Sequence, residues 1–362
     1  MKKLLLLVSA FTLVAALTAC GTETIEVPVE VEKIVEVEVE SLAGTYVGYS
    51  WKGESKGTTL EEASQKIQTI LTINEEGVIT DASMLFFKLS QGSWYTRQDS
   101  TARVSANLDV NPVAATPGSD YSKGTSMFTV DTHDMMSLYA VTVEEDGSAA
   151  FMIVEPVTRY LYEIKLPAGY DFSTVVADVT VDGTEGGFIP TVRTSGSGLM
   201  KPASWTELEG NNIFNISYFD HVMVDAGPFE GLSQNSTMQE LLEAAGVTFN
   251  AGTPEAKDVT FGRHSLGGWQ GNYETIENFL IGKNVSEITS LVDWSTDKWA
   301  NAVNEDNFFG VDVPTGATKT AQDSNDGIAG ATVRMSREST SFQRALVEAG
   351  IISEEDVIKG RF

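Results

Sequence analysis

Cysteine is nearly absent. The chain has one, Cys20, so no disulfide can form within it. Histidine is scarce too: His133, His221 and His264 are the three, and no two of them stand at metal-ligand spacing. Carboxylates are plentiful but no EF-hand loop is present, so no metal site is expected. Positive charge is the next shortage. Lys and Arg number 24 against 51 Asp and Glu, for a net charge of −27. Nucleic acid is therefore excluded as a partner, because binding it requires a cationic surface that releases counterions. The same balance argues against direct docking on anionic lipid. Long apolar runs are missing beyond the first residues, although a hydrophobic content of 42% is ample for folding.

The one apolar run is at the start, "MKKLLLLVSAFTLVAALTAC". Lys2 and Lys3 precede an apolar stretch over 4–17 that is short for a bilayer span. Leu17-Thr18-Ala19-Cys20 follows, and the whole resembles the bacterial lipoprotein signal with its lipobox. The resemblance implies a signal peptide over 1–19, lipidation of Cys20, and a mature chain held by lipid on the extracytoplasmic face of the cell membrane. Residues 20–41 carry on with "VPVEVEKIVEVEVES", in which Val or Ile alternates with Glu. Same-face glutamates repel and Pro28 lacks a donor, so an extended acidic stalk is expected, with an edge strand as the alternative.

The predicted fold class is α+β. Residues 42–195 read as a β-rich domain: "TYVGYSW", "IQTILTI", "GVITDASMLFF", "LYAVTV", "AAFMIV" and "VVADVTV" have strand composition. "NEEG" and "EEDGS" are turns between them, and "TLEEASQKI", 59–67, is a candidate helix. The flexible "RTSGSGLMKP", 193–202, marks a boundary. Residues 200–362 read as a mixed α+β domain. Three helical patterns end at Gly246, Gly282 and Gly350. The first has Ser236 and Gln239 as a capping box, and the last places Phe342, Ala345, Leu346 and Ala349 on one face. Ser353 with Asp356 caps a final short turn.

Hydrolase chemistry finds no frame: "GSG" at 196–198 has neither the strand before it nor the helix after it that a nucleophile elbow needs. A different motif recurs. Gly316-Ala317-Thr318 returns as Gly330-Ala331-Thr332, each behind an aspartate at the same distance, Asp312 and Asp326. Thr315 precedes the first tripeptide and Ala329 the second. Small residues let the backbone turn tightly and leave the final hydroxyl clear of its own backbone.

Both copies resemble the attachment motif of the FMN-binding domain family, found in subunits of sodium-pumping NADH:quinone reductases, in related electron-transport complexes and in lipoproteins of Gram-positive bacteria. The resemblance implies FMN joined to the final threonine by a phosphoester, made by a separate flavin transferase. It implies an electron carrier more than a substrate-specific enzyme, with membrane redox partners. Thr318 fits the pattern more fully, because Ala329 stands where the family prefers Ser or Thr. Thr332 is favoured as acceptor because only the second copy runs straight into a C-terminal amphipathic helix; one flavin on each remains open. Arg334 and Arg337 are candidates to face the phosphate, and Trp294, Trp299, Phe308 and Phe309 to wall the ring. "GTYVGYSWKG" with "ILTINEEGVITDASM" resembles the opening of the same family. That makes the family domain either split by an insertion or present as an earlier degenerate copy. The competing expectation is a non-redox surface lipoprotein that binds a ligand or partner.

Overall fold

A computed structural model describes residues 41–98, 101–132, 135–181, 186–194, 200–216, 223–298, 321–324, 328, 335–360 and 362. The fold is α+β. Strands β1 (Gly44–Trp51), β2 (Gln65–Ile73), β3 (Ile79–Ser90) and β4 (Ser93–Thr96) form an antiparallel sheet in the order β1-β2-β3-β4. Alternation creates its apolar face: Ile67, Leu71 and Ile73 on β2 and Ile79, Met84 and Phe86 on β3 are all buried. The expected turn between them forms, with Gly77 at φ 79 and the Asn74 side chain accepting from the Val78 amide at 2.8 Å. No helix forms over 59–67. Its apolar positions alternate from Gln65 onward, and β2 starts there.

Such a face needs a cover, and it comes from the far end of the chain. Helices α2 (Gly268–Leu280) and α3 (Ser336–Glu348) lie over it. Trp269, Tyr273, Ile276 and Leu280 from α2, and Phe342, Ala345 and Leu346 from α3, share one core with Ile67, Leu71 and Phe86. Core membership thus runs across the cut expected near 195–200. β1 meets α3 at Gly48, where an added Cβ would lie 2.1 Å from the Ser341 carbonyl oxygen and 2.3 Å from the Ala345 nitrogen. β1 is an edge strand, and side chains of α3 occupy that edge. Glu348 accepts from the Val47 amide, and Arg344 donates to the Tyr49 carbonyl at 2.8 Å. The edge is thereby closed to further strand pairing.

The residues between these parts build a second body. Strands β7 (Leu138–Val143), β8 (Ala149–Val154), β9 (Tyr160–Leu166), β10 (Ile189–Arg193) and β13 (Lys257–Arg263) form an antiparallel sheet in the order β10-β9-β8-β7-β13. Every residue of β8 is buried, because both faces are covered. One face packs with helix α1 (Met238–Ala244). The other packs under the hairpin of β5 (Arg103–Ala106) and β6 (Phe128–Asp131). A two-residue pairing of β11 (Phe249–Asn250) with β12 (Thr253–Pro254) follows α1. "VVADVTV" is not a strand: Val176–Asp178 form a single 3-10 turn that lets Val176, Val179 and Val181 all enter the core. The capping box of α1 sits one residue later than expected. Thr237 accepts from the Glu240 amide at 3.1 Å, and Glu240 accepts from the Thr237 amide at 2.7 Å. A carboxylate at that position also suits the positive helix end better than Gln239 would. Gly246, at φ 92, closes α1 as expected, and the Ser353–Asp356 box forms around Glu354–Asp356.

Glu163 of β9 ties the β6 hairpin to this sheet. It is fully buried and accepts from the Met127 amide at 3.0 Å and the Ser126 hydroxyl at 3.2 Å. Burial raises its pKa from 4.5 to about 7. A raised carboxyl makes the folded state the better proton binder. The stability gained is full below the unfolded value of 4.5 and lost as pH rises through about 7. Glu163→Gln is therefore expected to stabilise the protein by up to roughly 3 kcal/mol at about pH 8.5 and by little at about pH 5. Chemical unfolding at the two pH values checks this; an equal effect at both contradicts it.

Candidate functional site

Both tripeptides, with Asp312, Thr315, Gly316, Ala317, Thr318, Asp326, Gly330, Ala331 and Thr332, lie outside the described residues. So do Cys20 and the stalk to residue 40, and so do His133, His221, Trp299, Phe308, Phe309 and Arg334. The described residues on either side still fix where the chain enters and leaves. β14 (Val292–Lys298) pairs antiparallel with β15 (Ala321–Ser324), and Lys298 stands opposite Ala321. In sequence the first tripeptide falls between β14 and β15. The second lies between β15 and α3. Two residues before it, Ile328 is fully buried, in the same core as Phe86 and Trp269, and Met335 at the head of α3 is buried there too.

At that helix start a charged network is enclosed. The Arg337 guanidinium lies 4.8 Å from the centre of the Phe86 ring, 5.3 Å from Trp269 and 5.5 Å from Phe362. Its Nε donates to Glu338 Oε1 at 2.9 Å. The Tyr273 hydroxyl donates to the same oxygen at 2.8 Å. Burial, and then the Glu338 charge, push the Tyr273 pKa well above its ordinary value, so it stays a donor. Glu338 Oε2 and Trp269 Nε1 are buried without a hydrogen-bond partner. Arg337 thus faces a carboxylate and three rings. The sequence reading passed over Glu338 and Tyr273. The available signal was a charged Arg-Glu pair in the first turn of a helix whose other face is core.

Three hydroxyl residues of α3 are buried as well. Ser339 accepts from the Leu291 amide at 3.0 Å, and Ser341 meets Thr69 at 2.7 Å. Thr340 donates to the Ile358 carbonyl at 2.8 Å and accepts from the Gly360 amide at 2.7 Å. These three hydroxyls join the helix to the sheet and to the C-terminal tail, and each has a hydrogen-bond partner.

Other candidates resolve into structure. Among the described residues no cluster of His, Cys, Asp and Glu could hold a metal. His264 is fully buried, with Nε2 at 2.8 Å from the Val154 carbonyl and Nδ1 at 2.6 Å from Ser265 Oγ. Burial lowers its pKa to about 4 and keeps it neutral at physiological pH. Trp269 and Tyr273 are core residues. No helix among the described residues is long and apolar enough to cross a membrane. No family model, no curated protein and no solved structure matches the chain.

Proposed function

We propose that the chain is an extracytoplasmic flavoprotein: a lipid-anchored electron carrier, more than an enzyme with its own substrate. In particular, it carries FMN through a phosphoester on Thr332, with Thr318 the alternative acceptor, after modification by a flavin transferase. Cys20 supplies the lipid anchor and the acidic stalk the tether to membrane redox partners. The observation that carries this reading is the placement of the second motif. Ile328 within it and Met335 just after it are buried in the core shared by β1–β3, α2 and α3. The described residues on either side of Thr332 in sequence, Ile328 and Met335, thus share one core, which supports a rigid mount for a cofactor attached between them. That core also joins the family-like opening, Tyr46 to Met84, to the family-like end. This favours one domain interrupted by an insertion over a degenerate earlier copy.

Close in sequence to that motif, Glu338 Oε2 is a buried acceptor without a hydrogen-bond partner, and Trp269 Nε1 a buried donor without one. Bound FMN supplies reversible electron transfer; the chain anchors it, orients it and limits its contact with water. Strong negative charge disfavours reversible retention of an anionic cofactor, and a covalent bond removes that difficulty. Co-expression with a flavin transferase is expected to give protein whose flavin absorbance survives acid precipitation. Colourless protein from such cells contradicts the reading.

A further inference from the structure

We propose that a cleft on the second body, between Trp205 and the turn that carries Asp120, binds one neutral pyranose unit. The proposal goes beyond the flavoprotein reading and does not rest on it. The cleft has a volume of about 370 Å³. Residues 116–120 line one side and residues 203–205 the other. Its size is at the small end of ligand sites, which span about 300–1,000 Å³.

Both walls are fixed to the sheet before any ligand arrives. Thr116 and Ser122 exchange both main-chain bonds, at 3.0 and 3.3 Å. The Ala115 amide donates to the Pro190 carbonyl of β10 at 2.8 Å, and the Arg193 amide donates to the Tyr121 hydroxyl at 3.0 Å. On the other wall, Trp205 Nε1 donates to the Ala115 carbonyl at 2.8 Å, and its ring meets Tyr160 edge-on at 4.9 Å between centres. The indole is therefore held in place while only half-buried. Walls ordered in advance lose little freedom on binding. They meet at Gly118, where an added Cβ would stand 3.2 Å from the Ala203 carbonyl oxygen.

The lining selects the ligand. Among the described residues its one charged group is the exposed Asp120. Phosphates and carboxylates find no counter-charge there. Thr116, Ser119 and Ser204 supply hydroxyls, each able to donate and to accept. Thr116 Oγ1 accepts from Ser122 Oγ at 2.9 Å, which leaves its own proton to donate. A sugar ring presents the complement. Its hydroxyls donate to a carboxylate in charge-assisted bonds and exchange bonds with side-chain hydroxyls. Its C–H face packs on the electron-rich face of an indole.

Saturation-transfer NMR on the full chain tests this with glucose, cellotriose and chitotriose as neutral probes, and with choline and glucose 6-phosphate as charged ones. Ring protons of at least one neutral probe are expected to receive saturation, and the charged probes little. Asp120→Ala, at an exposed position, and Trp205→Leu are each expected to cut the neutral signal at least fivefold. A trisaccharide signal above that of glucose marks a glycan as the ligand, and equal signals mark a free sugar; either supports the cleft. No saturation of any neutral probe overturns it. So does stronger transfer to choline or glucose 6-phosphate, or a neutral signal unchanged in Asp120→Ala.

Discussion

Gly48→Val is expected to destabilise the protein by roughly 3 kcal/mol or more. The reason is contact, not backbone conformation. A Cβ at position 48 would stand 2.1 Å from the Ser341 oxygen, 2.3 Å from the Ala345 nitrogen and 2.8 Å from the Arg344 carbonyl carbon. All three atoms are main chain in the middle of α3, so no side-chain rotation relieves the clash. The helix must lift from β1. Lifting it opens the core around Phe342 and Leu346 and pulls Arg344 and Glu348 from the strand edge. Gly44→Ala is the control on the same strand. Its Cβ would meet the Tyr46 side chain, the hydroxyl at 2.8 Å and a ring carbon at 2.9 Å; that side chain can swing away at the loss of its bond to the Leu42 carbonyl, so a smaller effect is expected. Denaturant midpoints of the two variants check this; equal midpoints contradict it.

Arg344→Met is expected to cost about 3–5 kcal/mol. Arg344 holds three elements together. Its guanidinium binds both carboxylate oxygens of Glu54, reaches Glu354 at 3.1 Å, donates to the Tyr49 carbonyl at 2.8 Å and stacks on Trp51 at 4.6 Å. The side chains of Arg344 and Glu54 are only 12% and 11% exposed, so salt screens the pair weakly. Methionine keeps the stem but strands a nearly buried carboxylate with only Lys359, at 3.5 Å, beside it. The cost should therefore fall when Glu54→Gln is added, because the uncompensated charge goes. Stability of both single variants and the double variant completes the cycle. A double variant as unstable as the sum of the singles contradicts this account.

Local features were legible in the sequence where local chemistry decides them. The Asn74–Gly77 turn, the glycine after α1 and the apolar stripe of α3 are set by residues a few positions apart, and all three form. Partner choice was not legible. β2 and β3 advertise an apolar face, but nothing nearby says that helices from residues 268–280 and 336–348 will cover it. Ser339, Thr340 and Ser341 are hydrophilic, yet they are buried because β2, Leu291 and the chain around Ile358 close over them. Val176 read as strand because its neighbours are β-branched. The three valines instead enter the core from a turn and the chain after it. The site divides in the same way. Its tripeptides stand out by composition and repeat. The Glu338 network needs Tyr273 and Trp269 from another helix, and no spacing announces it.

The central claim is that a threonine of this chain carries FMN, and peptide mass tests it most directly. Trypsin separates the two candidates: cleavage after Lys298, Lys319 and Arg334 places Thr318 in 299–319 and Thr332 in 320–334. From cells with an active flavin transferase, the second peptide is expected to bear the mass of one FMN. That mass should disappear in Thr332→Val and persist in Thr318→Val. Both peptides at their unmodified masses would contradict the account.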